Sequence, residues 1–171
     1  MGILDGNQKN EPMHYGEVYG IWSYLLAAQS AFVENQVMVN HSGDKDLRKF
    51  LEDYNVNVLV PEIKELSELL KKNGIALPPA PPDRANANLE DIPVGARFMD
   101  PEIANARAHL ITAGLIACST IMGSSTREDI ATMFSQFHTK KTKYGGMILK
   151  LLKNKGWIIV PPLYNSGSHQ D

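Results

Sequence analysis

Apolar side chains recur along most of the chain at steps of three and four residues, the spacing that gathers them on one face of an α-helix. Val18, Ile21, Leu25, Ala28, Phe32 and Val39 predict a first helix from Asn10-Glu11-Pro12 to about Asn40, with Asn10 as its cap and Pro12 in its first turn. Gly16 and Gly20, one turn apart, are expected to admit a close neighbour. After the turn His41-Ser42-Gly43-Asp44, a second stripe of Leu47, Leu51, Tyr54 and Val58 resumes beyond Pro61 as Ile63, Leu66 and Leu70. The Pro61 ring clashes with the preceding turn and leaves the Asn57 carbonyl without its donor, so this helix is predicted to kink there before ending at Gly74.

A third helix opens at Asp100-Pro101-Glu102, with Asp100 as cap. Ile103, Leu110, Ala113, Ala117 and Ile121 line one side of it, and Ile111, Leu115, Cys118 and Met122 an adjacent one, a spread that predicts a deeply buried helix. Ser125 and Glu128 have the spacing of a capping box for the fourth helix. Ile130, Phe134, Phe137, Lys141, Tyr144, Ile148 and Leu151 then alternate steps of four and three, the seam that helical bundles bury, and Lys141 is its one charge. Gly156 closes the helix, and the tail through Pro161-Pro162-Leu163-Tyr164 is expected to pack along the bundle.

Between the two pairs of helices lies a stretch that cannot be helical, because Pro78, Pro79, Pro81 and Pro82 lack donors and hold their neighbours extended. A helix of nearly thirty residues is roughly 40 Å long. The connector reaches roughly 75 Å when extended, enough to traverse the bundle and let the second and third helices run parallel. The prediction is an all-α, ferritin-like four-helix bundle in a single domain, residues 1–171. Two antiparallel helical hairpins, about 11–74 and 100–156, are joined by a proline-rich crossover, 75–99, and followed by an extended tail, 157–171.

The two hairpins also resemble each other. Ser42 to Tyr54 aligns with Ser125 to Phe137, apolar position on apolar position, and Leu69 to Pro79 aligns with Leu151 to Pro162 after one inserted residue. Shared turn, cap and Pro-Pro exit favour an internal duplication over chance likeness between amphipathic helices.

Composition narrows the function classes. The 171 residues carry 17 Lys and Arg against 19 Asp and Glu, so there is no basic footprint for nucleic acid. The single cysteine, Cys118, sits in an apolar helical pattern and reads as a packed thiol. Ile111 to Met122 is shorter than the roughly 20 residues of a membrane span, and the first ten residues have no secretory signal pattern, so neither a span nor export is expected.

A ferritin-like di-iron centre takes two Glu-x-x-His pairs. The residues three before His41, His109, His138 and His169 are Met38, Ala106, Ser135 and Ser166, and only Glu11-Pro12-Met13-His14 fits. A normal di-iron centre is therefore not expected. Gln29, Glu62, His109, His138 and Lys141 fall near the middle of the predicted bundle. Two arrangements stay open: a Glu62–Lys141 ion pair, or a metal site using His109 and His138 with a carboxylate such as Glu62. The plain alternative, that several of these groups are solvated or satisfied by hydrogen bonds, is favoured. Met99, Met122, Met133 and Met147 read as core filler. Phosphate-loop, dinucleotide and zinc-cluster patterns are absent and no motif nominates a nucleophile, so neither catalysis nor a cofactor is expected.

The run Ser125-Thr126-Arg127-Glu128-Asp129-Ile130, the lysine-rich helix end, Lys155-Gly156 and Pro161-Pro162 resemble an uncharacterised family of spore-forming bacilli. Its members form ferritin-like bundles, are often assigned to the spore coat by similarity to spore coat protein F, and frequently carry this unit twice. The resemblance covers roughly residues 14 to 165. It implies a non-catalytic structural or interaction protein, made in the cytoplasm and placed in the spore coat. A single unit implies a homo-oligomer, a dimer being favoured, with other coat proteins as further partners. The alternative is a ferritin-like protein that binds a metal or small ligand at a degenerate carboxylate site.

Overall fold

Helix α1 (Tyr15–His41) opens on His14, with Pro12 ahead of the helix and not in its first turn. His14 Nδ1 accepts hydrogen bonds from Gly16 N at 3.0 Å and Glu17 N at 3.3 Å, and Glu17 Oε2 accepts from His14 N at 3.1 Å. An imidazole thus does the work of the usual short oxygen-bearing cap. The computed structural model describes residues 11–164, so the expected cap Asn10 lies outside the described residues.

The second stripe forms one rod in three pieces: α2 (Lys45–Tyr54), a π turn (Asn55–Leu59) and α3 (Val60–Lys72). The missing Pro61 donor is absorbed by a change of register just upstream. Val60 N reaches back five residues to Asn55 O, and Pro61 then lies in the first turn of α3, where no donor is needed. Asn35 of α1 steadies this widened turn, donating to Leu51 O at 2.6 Å and Asn55 Oδ1 at 2.9 Å.

Helices α4 (Asp100–Ser124) and α5 (Glu128–Lys155) complete an all-helical bundle, with no strand among the described residues. Their caps differ from expectation because the side chains serve other helices. Asp100 accepts from Ser42 Oγ, Gly43 N and Asp44 N at 3.1, 2.9 and 3.1 Å, and so caps the approach to α2, while Glu102 accepts Met99 N at 2.8 Å. Ser125 Oγ turns back to Ile121 O at 2.7 Å, and Glu17, from α1, takes the amides of Thr126 and Arg127 at the start of α5.

Two apolar clusters fill the interior. Ile21, Leu25, Leu66, Leu70, Phe134 and Phe137 anchor one, and Leu47, Leu51, Val58, Ile103, Ile111 and Ile148 the other. Contacts along α1 and the α2–α3 rod run antiparallel, as do those between α4 and α5. The segment from Gly74 to Met99 is extended apart from single 3-10 turns at Leu89–Asp91 and Val94–Ala96. It is tied along α1 in order: Trp22 Nε1 donates to Ala76 O at 3.0 Å, Arg84 N to Gln36 Oε1 at 2.8 Å, Asn40 Nδ2 to Ala85 O at 2.9 Å and Phe98 N to His41 Nδ1 at 3.1 Å.

Helices α3 and α5 leave by the same geometry. Gly74 and Gly156 hold φ of 72° and 70°, and the residues after them donate back across the turn, Ile75 N to Leu70 O at 3.0 Å and Trp157 N to Leu152 O at 2.9 Å. No atom lies within 4 Å of a Cβ built at Gly74, so Gly74→Ala carries only the penalty of a side chain in left-handed backbone. The variant should lose about 1 kcal/mol in urea denaturation; an unchanged midpoint would show that this exit relaxes at no cost.

Several expectations about burial are corrected. Helix α4 is deeply buried only along Ile103, Ala104, Arg107, Ile111, Cys118 and Ile121, whereas Leu110 is 38% and Ile116 64% exposed. Val94–Ser124 is long and apolar enough to cross a membrane by length and composition, which the shorter run Ile111 to Met122 did not indicate; 22% of its most apolar window is buried. Met99 and Met147 are exposed and not core filler. The tail packs only through Trp157 and Ile158; from Ile159 on it is exposed, Tyr164 at 92%.

Candidate functional site

Between the two apolar clusters, Lys141 and Glu62 meet. Lys141 lies on the buried seam of α5 between Phe137 and Tyr144, and Glu62 in the first turn of α3 between Leu59 and Leu66. The Lys141 ammonium bonds both carboxylate oxygens of Glu62, and both residues are buried, Glu62 fully. Gly114 of α4 leaves room for the lysine stem: a Cβ there would come within 2.7 Å of Lys141 Cε.

Aromatic groups close the pair on the α1 side. Tyr24 donates to Glu62 Oε2 at 3.2 Å, and its oxygen lies 3.3 Å from Cys118 Sγ. With the phenol proton directed at Glu62, the thiol is the donor of that second contact. The Tyr24 ring lies 5.6 Å below the Lys141 ammonium, a cation–π contact. Burial, reinforced by Glu62, keeps the Tyr24 hydroxyl protonated well beyond its ordinary range, and burial likewise pushes the Cys118 thiol up, so the thiol is unreactive. Burial also raises the Glu62 carboxyl above its ordinary value, and the attraction and hydrogen bonds of Lys141 bring it only part of the way back.

A second cation lies beyond the pair. Arg107 of α4 is 2% exposed, with its guanidinium 5.8 Å from the Tyr54 ring centre, yet it makes no hydrogen bond or ion pair among the described residues, and Nε is enclosed with no partner. Burial lowers its pKa, against a weaker upward pull from Glu34 and Tyr54.

These groups form the floor of a cavity of about 600 Å³ between α1 and α4. Its walls are small: Gly16, Gly20, Ala27 and Ala31 from α1 face Ala113, Gly114 and Ala117 from α4. Gly16 and Gly20 therefore border a groove and do not admit a closely packed neighbouring helix; a Cβ at Gly20 would meet only the Ile121 side chain, at 3.5 Å. The groove is what leaves part of α4 without a packing partner.

The structure thus brings Glu62 to Lys141 and not to the histidines. His109 is exposed on α4, and His138 lies along α5 beside Thr142, whose hydroxyl donates to His138 O at 3.0 Å. Both Glu62 oxygens face an ammonium, which excludes a cation from the same place. Among the described residues no three His, Cys, Asp or Glu side chains are grouped to hold a metal. In the Glu11-Pro12-Met13-His14 pair, His14 is engaged in the α1 cap, and the Glu11 backbone carbonyl accepts from Arg127 at 3.2 Å. Gln29 is buried away from the pair, with Oε1 unpartnered.

Tyr24, Tyr54, Arg107 and Glu17 were not singled out by the sequence pattern as polar members of the interior. Arg107 carried the clearest available signal, a lone cation four residues before Ile111 and after Ile103 on an apolar face.

A helical bundle with a carboxylate–ammonium pair in its core and an open apolar groove above it is the class of protein these features define. The chain belongs to the DUF3231 family of proteins of unknown function, matching it over residues 1–169. It is 52% identical over 170 residues to the uncharacterized protein YvdQ of Bacillus subtilis (strain 168), covering 99% of each chain. It is also similar to the crystal structure of a putative spore coat protein from Bacillus halodurans C-125, at 49% identity and a TM-score of 0.91, covering 94% of this chain and 100% of that one.

Proposed function

We propose that this protein is a non-catalytic structural or interaction protein of the spore coat. The single observation behind the reading is the likeness, over the full length of the solved chain, to the Bacillus halodurans protein assigned to the coat. The chemistry of the interior fits: Glu62 and Lys141 neutralise each other, and the Cys118 thiol is protonated and buried. The arrangement is read as ferritin-like, with the proline-rich segment as its crossover. Support comes from the ordered bonds of that segment along α1, which carry the chain from the level of Trp22 to that of His41. The matching exits at Gly74 and Gly156 support an ancestral duplication. Where a ferritin-like metal would be held, Lys141 supplies the positive charge, and this favours a structural centre over a degenerate metal site.

Self-association is part of the proposal, supported by the exposed apolar tail residues Ile159, Val160, Leu163 and Tyr164. The test is immunoblotting of coat extracts from a sporulating bacillus that expresses the full chain, with light scattering of the purified protein. Enrichment in the coat fraction and a stable oligomer are expected. Absence from the coat fraction, or a monomer at micromolar concentration, overturns the corresponding part.

A further inference from the structure

Arg107 is buried with no hydrogen-bond partner among the described residues, and it lines an apolar groove. A guanidinium removed from bulk water with no acceptor is unfavourable, and one mutual neighbour, Tyr54, offers only its ring face. The Tyr54 hydroxyl also has no hydrogen-bond partner among the described residues, and both residues line the cavity. Two donors without acceptors therefore share one end of the groove. Glu62 and Lys141 cancel, so the charge left on the floor is Arg107, which Glu34 attracts through space without forming an ion pair.

The rest of the groove is suited to hydrocarbon. Helices α1 and α4 flank it in antiparallel order, with His14 beside Ser124 at one end and Ala31 and Arg107 lining it toward the other. From Gly16 to Ala31 the helical rise gives a length of about 22 Å. Glycine and alanine make up much of the wall, with Tyr19, Leu110 and Ile121 at its borders, and a volume of about 600 Å³ is that of a small-molecule site.

We infer that the groove between α1 and α4 binds an amphiphile with one carboxylate head and an unbranched apolar chain. The carboxylate pairs with Arg107 in a forked, charge-assisted contact and accepts from Tyr54, and the chain runs between Ala27 and Ala113 in the direction of Gly20. Charge decides the occupant. A cationic or neutral amphiphile leaves Arg107 unpaired, and a multiply charged head places surplus negative charge beside Glu62. A helix of a second copy would meet the same unpaired cation in the groove, and is an outcome the test separates.

The probe is sodium laurate, below its micellar concentration, titrated calorimetrically into the full-length chain, with dodecyltrimethylammonium as the control of opposite charge. Laurate should saturate at one per chain, and the cationic detergent should not. Arg107→Met should weaken laurate binding about tenfold or more, the loss expected for one charged hydrogen-bonding partner. Ala27→Trp and Ala113→Trp fill the groove from exposed positions, so they spare the core even if Arg107→Met fails to fold, and each should abolish binding. Absence of saturable laurate binding, equal binding of both amphiphiles, or binding unaffected by the tryptophan variants overturns the inference. So does a dimer that Ala113→Trp dissociates while laurate leaves it intact. None of these outcomes depends on whether the chain is found in the coat.

Discussion

Lys141→Met will unfold at a markedly lower denaturant concentration than the chain in which both Glu62 and Lys141 are replaced by methionine. The single substitution leaves the Glu62 carboxylate in the core with Tyr24 as its remaining donor, and Glu62→Met leaves an ammonium among Tyr24, Phe137 and Tyr144. Breaking a buried pair from one side in this way costs about 3–5 kcal/mol. Replacing both partners removes the desolvation penalty together with the attraction. In buried pairs the two are of similar size, so apolar residues of similar volume are often a neutral replacement. The double variant leaves the Tyr24 hydroxyl with only its contact to Cys118 Sγ, a loss of about 1 kcal/mol, and should fall within about 2 kcal/mol of the parent. A full urea cycle on the four chains checks this. A double variant as unstable as the weaker single would mean that the pair contributes net stability and is not a neutral plug between the two apolar clusters.

The same pair shows how far the sequence could be read. Lys141 stood out because six apolar residues at alternating steps of four and three define a buried seam, and a cation inside it needs a partner. Glu62 followed from its place at the middle of the facing helix. Periodicity located all four rods, because an apolar stripe reports directly on which face is covered.

The misread features share a different cause. Asp100 and Glu17 look like local capping residues or plain helix residues, yet each bonds backbone amides of another element, and nothing in local spacing encodes that; Ser125 bonds back to the helix before it and not forward to α5. Pro61 announced a missing donor, but a kink and an inserted π-turn residue both satisfy that requirement, and only the Asn35 contacts from α1 favour the second. Helix α4 was misread for a related reason. Apolar residues around its whole circumference imply a covering partner, and many of the α1 residues across the groove, Gly16, Gly20, Ala27 and Ala31, are too small to reach it. Arg107 was legible as a lone cation on the line from Ile103 to Ile111, but its missing partner was not, because that depends on what the facing helices leave unfilled.

Glu17→Ala should be the second most damaging exposed-looking change, because this carboxylate joins two helix ends that are far apart in the chain. It is 1% exposed, and Oε1 accepts from Thr126 N at 2.8 Å, Arg127 N at 3.0 Å and Thr126 Oγ1 at 3.3 Å while Oε2 accepts from His14 N at 3.1 Å. Alanine leaves several amides at the starts of α1 and α5 without an acceptor, a loss of about 3 kcal/mol. The loss must also depend on pH. Burial pushes the Glu17 carboxyl up, and the amides of Arg127, Thr126 and His14 more than offset this, so it ionises below its ordinary value of 4.5. A group whose pKa is lower in the folded than in the unfolded chain stabilises the fold above the unfolded value, and this contribution disappears as pH falls through the folded one. The gap between parent and Glu17→Ala should therefore be full at neutral pH and narrow progressively as pH drops below 4.5. Asp44 and Asp129 are also lowered, Asp44 by Lys155 against its burial and Asp129 chiefly by Arg127, so both chains retain an acid limb and only the difference isolates Glu17. Urea midpoints of the two chains, measured from neutral pH downward, decide the matter: a gap that stays constant into acid would mean that Glu17 acts through packing alone and not as a charged acceptor shared by α1 and α5.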